Sequence, residues 1–153
     1  MSSSHSVRGL LGCLTSLIVF GSLGGWLGYV GAVLAASDQE VPPEYKNKAM
    51  PTGWRTDPTA LAAGKAIYEG KANPEVTCVK CHGSDGKPTR MGKGALDLSD
   101  LKEHAQDSDA LWFWRLAEGK PGTKMPGYKT KLTEEQRWQV VVYMRSFSAK
   151  SKP

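Results

Sequence analysis

Five residues constrain this chain more than any other stretch: Cys78-Val79-Lys80-Cys81-His82. Two thiols three apart, followed directly by an imidazole, match the attachment signature of c-type haem. The chemistry requires that spacing. Two intervening residues let both sulfurs reach neighbouring edges of one macrocycle and add across its vinyl groups, and the adjacent histidine is then held beneath the iron as proximal ligand. Two other uses of such a motif make further demands. A structural zinc site needs four ligands, and no second cysteine pair or His-x-His cluster is there to complete it. A thioredoxin-like redox pair follows a strand in a βαβ unit, whereas Ala72-Asn73-Pro74 just upstream reads as a turn.

At 153 residues the chain has room for one globular domain and an extension. Haem attachment would use two of the three cysteines, Cys13, Cys78 and Cys81, leaving no pair for a structural disulfide. The formal charge is +5, but the lysines are scattered singly and no nucleic-acid motif accompanies them. An acidic protein partner or a membrane surface is the expected counterpart, and no nucleic acid.

From Gly9 to Ala36 about 28 residues pass without a charge, more than the roughly 20 that a membrane-spanning helix needs. Arg8 precedes the run, and Asp38 and Glu40 follow it. Positive-inside logic puts the N-terminus in the cytoplasm and everything after Ala36 on the far side. Val33-Leu34-Ala35 resembles a signal-peptidase site, and cleavage there would release a soluble product. Against cleavage, the run is nearly double the roughly 7 to 15 residues of a signal core. Trp26 and Tyr29 suit an interfacial belt, and Gly21, Gly24, Gly25 and Gly28 give small faces for packing in lipid. Residues 1–36 are thus expected to be a membrane anchor or signal segment, with membrane contact through residues 9–36. Residues 37–56, with Pro42, Pro43, Pro51, Gly53 and no apolar period, are expected to be a linker, with Trp54 packing onto the domain.

Asp57 as cap with Pro58 at the first position predicts a helix that ends near Glu69-Gly70. Its apolar face carries Leu61, Gly64, Ile67 and Tyr68, with Gly64 small enough for a close helix contact. After the haem motif, residues 83–94 read as loop. The second ring nitrogen of His82 is expected to find a carbonyl there, near Pro88. Ser99-Asp100-Leu101 begins one short helical turn, and Ser108 or Asp109 caps a further helix that Gly119 and Pro121 stop. Trp112, Phe113 and Trp114 cannot all face inward on that helix, so at least one is expected at the haem edge or the surface. Thr133 and Gln136 form a capping box for a last helix bearing Val140, Val141, Met144 and Phe147. Residues 150–153 are a basic tail.

Met125 sits in Gly122-Thr123-Lys124-Met125-Pro126-Gly127, a loop and not a periodic helix. Its thioether is the soft ligand that would complete the sixth position of an iron. Met91, Met144 and Met50 are poorer candidates by position, and His104 lies in the polar stretch 102–107, where it reads as solvated. Arg115, Lys120, Lys124, Lys129 and Lys131 surround this loop with one acid among them, Glu118, which suggests a positive docking ring for an acidic partner.

Together, the Gly64-x-x-x-Tyr68 helix, the Cys78-x-x-Cys81-His82 motif, the Met125 loop and the Trp138 to Phe147 helix resemble class I cytochromes c over residues 57–149. The resemblance implies an all-α fold around one covalent haem c, the first and last helices crossing near Gly64 and Tyr143. It implies cofactor binding by Cys78, Cys81, His82 and Met125, with His82 and Met125 on the metal and no catalytic residues. It also implies haem attachment outside the cytoplasm, which agrees with the anchor and places the domain on the periplasmic side, anchored or, after cleavage near Ala35, soluble. The expected role is one-electron transfer between redox protein partners. A subunit of a larger membrane oxidoreductase is the alternative, and a haem enzyme or gas sensor with an open sixth position is a further one.

Overall fold

A computed structural model describes residues 41–104 and 106–150. The apolar run 9–36, with Cys13 and the cleavage-like triplet, lies outside the described residues, as do residues 37–40 and 151–153. No helix among the described residues is long and apolar enough to cross a membrane. The described elements are helices: α1 (Pro43–Lys46), a 3-10 turn (Trp54–Thr56), α2 (Pro58–Tyr68), α3 (Val79–His82), α4 (Leu101–His104), α5 (Asp109–Glu118) and α6 (Glu134–Lys150). Among them there is no sheet, and one antiparallel bridge joins Gly119 to Pro126.

Helix starts follow local chemistry. The Asp57 carboxylate accepts from Thr59 N at 2.8 Å with Pro58 in the first turn, and the Ser108 hydroxyl accepts from Leu111 N at 3.1 Å to open α5. At α6 the box is reciprocal, Thr133 N donating to Gln136 Oε1 at 2.9 Å and Gln136 N to Thr133 Oγ1 at 3.1 Å. Each such cap contributes about 1 kcal/mol.

Helices α2 and α6 form the main packing pair. Tyr68, Tyr143 and Phe147 meet there, with ring centroids 4.9 to 5.5 Å apart, and the Gly64 backbone lies against Gln139 and Tyr143. On the far side of α6, Phe113 of α5 stacks on Trp138 at 4.2 Å and 24°. Lying between two helices, α6 is buried nearly all round: Val140, Val141, Val142, Tyr143 and Met144 are all in the core, so its apolar residues make no single stripe.

Residues 41–56 do not behave as a linker. Val41 and Tyr45 are buried, α1 packs on α5, and Met50 and Trp54 lie against the core. A four-residue helix is too short to display a period, and its anchors work singly: Tyr45 meets Phe113 at 6.2 Å, and Lys48 pairs with Glu134 at 2.7 Å. The expectation for Trp54 holds.

Candidate functional site

The Cys78 to His82 stretch is a single helical turn. Cys81 N and His82 N both donate to Cys78 O, at 3.1 and 2.9 Å, and Gly83 N donates to Val79 O at 3.0 Å. Residues three apart on a helix share a face, so the turn presents the Cys78 and Cys81 sulfurs to one side. Gly83 ends it at φ +64°, and its carbonyl accepts from the Tyr68 hydroxyl at 2.7 Å, tying the turn to α2. A loop then closes over the turn. Thr89 N donates to Cys81 O at 2.9 Å, and a Cβ at Gly92 would lie only 2.1 Å from that carbonyl, so only glycine permits the approach.

His82 Nδ1 donates to Leu96 O at 3.1 Å. The acceptor lies beyond the 83–94 loop and not near Pro88, because Leu98 N, donating to Gly86 O at 2.8 Å, draws the chain after Gly94 back beside the motif. The bond to Leu96 O fixes the tautomer and leaves Nε2 with its lone pair. Burial lowers the affinity of His82 for a second proton, opposed in part by the Leu96 carbonyl, so the neutral, metal-binding form is favoured. Burial also pushes the Cys78 thiol up to about 11. Cys78 and Cys81 are both free thiols.

These residues line one cavity of about 820 Å³, within the range of roughly 300 to 1,000 Å³ for pockets that enclose a cofactor-sized molecule. Its walls are largely apolar: Tyr68, Leu98, Trp112, Leu116 and Met144 are all buried. Met125 lines the same cavity, half-buried, on a loop whose neck is the Gly119–Pro126 bridge. The structure therefore brings Cys78, Cys81, His82 and Met125 to one space. Two unpaired thiols, an imidazole with a free nitrogen, a thioether and an apolar wall suit a haem, and this donor set fits no hard cation. Met91 and Met144 also border the cavity. Met91 is exposed, however, and Met144 belongs to the α6 core.

One side chain stands elsewhere than its sequence neighbours suggest. His104 is buried, not solvated: Nδ1 faces Asp107 Oδ2 at 2.9 Å, Nε2 donates to Asp97 O at 2.8 Å, and the ring meets Trp112 edge-on at 5.3 Å. Of the three adjacent aromatics, Trp112 and Phe113 point inward and Trp112 reaches the cavity, while Trp114 is half-buried beneath the Arg115 guanidinium at 4.0 Å. Tyr128 also lines the cavity, and burial raises its phenol to about 12. The sequence reading did not single it out, and its place three residues after Met125 is the one signal that could have. Around the loop, Lys129 is paired with Glu118 at 2.9 Å and Lys131 with Glu75 at 3.8 Å. Lys93, Lys120 and Lys124, all exposed, line the cavity itself, so the positive charge gathers more tightly at the mouth than the chain order suggests.

The sequence model of the cytochrome c family matches residues 61–148. Comparison with curated proteins gave no match. Among solved structures the chain is similar to the c-type cytochrome KustC0563, at 34% identity over 55% of this chain and 95% of that one, with a TM-score of 0.48. It is similar to a chain of the Kuenenia stuttgartiensis reducing HAO-like protein complex Kustc0457/Kustc0458, at 22% identity over 65% and 49%, with a TM-score of 0.47. A third similarity is to cytochrome cL of the marine methylotrophic bacterium Methylophaga aminisulfidivorans, at 19% identity over 84% and 71%, with a TM-score of 0.48.

Proposed function

Since the chain belongs to the cytochrome c family, we propose that it passes single electrons between protein partners on the periplasmic side of the cytoplasmic membrane, with Cys78 and Cys81 carrying the haem and His82 and Met125 as axial ligands. It is an electron carrier and not an enzyme, and its cofactor is a covalently attached haem c. When bound, the haem iron supplies reversible one-electron cycling between ferric and ferrous states.

The single observation that carries the ligand assignment is the shared cavity of Cys78, Cys81, His82 and Met125. His82 presents Nε2, while its Nδ1–H bond to Leu96 O holds the ring plane and raises the basicity of the ligating nitrogen. The Met125 thioether is soft, which favours the reduced state and a higher potential. Trp112, Leu98 and Leu116 wall off water, so little solvent need reorganise when an electron moves. Lys93, Lys120 and Lys124 put positive charge at the opening, where an acidic partner would be steered. The uncharged run from Gly9 to Ala36 supports an uncleaved anchor.

Replacing Met125 tests the assignment. Met125→Ala is expected to open the sixth position and lower the reduction potential. An unchanged ferric spectrum and potential would put the ligand elsewhere. For the anchor, alkaline carbonate washing should leave the protein in the membrane with its N-terminus intact, and a soluble product beginning at Ala36 would overturn that part.

A further inference from the structure

The Met125 loop is exposed along its tip: Lys120, Pro121, Gly122, Thr123 and Lys124 all face solvent. Its internal bonds are its own, Thr123 Oγ1 donating to Lys120 O at 2.7 Å and accepting from Met125 N at 3.2 Å. Such a loop inherits its position from its neck. The neck is narrow. Lys120 N donates to Met125 O at 3.2 Å, while Tyr128 N and Lys129 N donate to Leu116 O and Ala117 O at 3.0 Å each. A Cβ on Gly127 would lie 2.6 Å from Ala117 O, so the two arms run in close contact.

One side-chain cluster spans the arms. Glu118, at the entry, accepts at the same carboxylate oxygen from Lys129 Nζ, at the exit, 2.9 Å away, and from the Tyr45 hydroxyl of α1. The Lys129 ammonium also lies 5.7 Å over the Tyr45 ring. Tyr45 is itself fixed, only 5% exposed and packed on Phe113, which stacks on Trp138 of α6. The exposed loop is therefore joined to the core through the Tyr45 phenol on α1 and, at its exit, through Arg137 of α6, whose Nη1 donates to Lys129 O at 3.1 Å; of the two, only the phenol reaches the Glu118–Lys129 pair that spans the arms. That phenol lies outside residues 61–148, where the family match falls, so the contact belongs to this chain's own N-terminal extension.

We propose that Tyr45 is a positioning residue: through Glu118 and Lys129 it locks the neck of the Met125 loop and holds the methionine sulfur in ligand position. This rests on Met125 being the axial ligand. Opening the neck frees the sulfur to leave the site, so the lock sets how readily an outside ligand displaces it, with little bearing on helix packing.

The test is imidazole binding to the ferric holoprotein, followed by absorbance in stopped flow. Tyr45→Phe removes the hydroxyl and keeps the ring. It should speed imidazole entry roughly tenfold, the size expected from losing one hydrogen bond to a charged acceptor. Ile67→Val, a core change in α2, serves as the control for general loosening and should leave the rate near that of the parent. Parent-like kinetics in Tyr45→Phe, or equal acceleration in Ile67→Val, would overturn the lock. Met125→Ala should bind imidazole fastest. If it binds no faster than the parent, the ligand assignment itself fails and the lock with it, whereas fast binding in Met125→Ala beside parent-like Tyr45→Phe defeats the lock alone.

Discussion

Gly64→Ala should damage the fold out of proportion to one methyl group. An ideal Cβ at Gly64 would sit 1.9 Å from the Gln139 carbonyl oxygen, 2.6 Å from its carbon and 3.1 Å from Tyr143 Cβ. The first two atoms are helix backbone and cannot swing aside. To reach the 3.4 Å at which ordinary contact begins, α2 and α6 must separate by about 1.5 Å, disturbing the contacts of Tyr68 with Tyr143 and Phe147. Overpacking costs about 1 to 3 kcal/mol, and a clash with backbone belongs at the upper end. The better helix propensity of alanine returns about 1 kcal/mol, leaving a net loss of about 2 kcal/mol. At roughly 4 to 8 °C per kcal/mol for a domain of this size, Tm should fall by about 8 to 16 °C. Thermal unfolding of the haem-loaded protein, followed by far-ultraviolet circular dichroism, reads this directly. A Tm within about 3 °C of the parent, less than 1 kcal/mol by the same conversion, would refute the close crossing.

Loss of one cysteine, in Cys78→Ala or Cys81→Ala, should remove one thioether link and most of the holoprotein. Acid-acetone should leave haem on the parent polypeptide yet extract it from the double variant. Burial raises Tyr68 and Tyr128, the latter to about 12, so the stability tied to their neutral phenols is intact below about pH 10 and lost as pH climbs through that range. Helix loss should therefore accompany the last phenolates to form in an alkaline titration, and ionisation of all five tyrosines with helix intact would contradict the burial. Lys120→Glu with Lys124→Glu should slow electron exchange with a negatively charged redox protein and flatten its salt dependence. Lys131→Glu, already partnered by Glu75, should do much less, and equal effects would place the docking face elsewhere.

What could be read from the chain order was what local chemistry decides. The Asp57-Pro58 start and the Thr133–Gln136 box are complete within four residues, and the Cys78 to His82 motif is complete within five, though its helical turn was seen only in the structure. Misreadings came where the partner lies far along the chain. His104 sits among Lys102, Glu103, Gln106 and Asp107, which suggests solvent, yet the Asp97 carbonyl, Trp112 and Arg145 enclose its surroundings. The strap at 41–48 offered no period because Tyr45 finds Glu118 73 residues away. The Leu96 carbonyl carried no side-chain signal at all, since any residue could present it to His82.

One-electron transfer through an iron that keeps both axial ligands leaves its signature in a spectroelectrochemical titration of the purified protein. A single Nernstian wave with one electron per chain, low-spin spectra at both ends, and no change on adding carbon monoxide to the ferrous form are the expected results. Carbon monoxide binding at neutral pH, or a high-spin ferrous spectrum, would contradict that ligation.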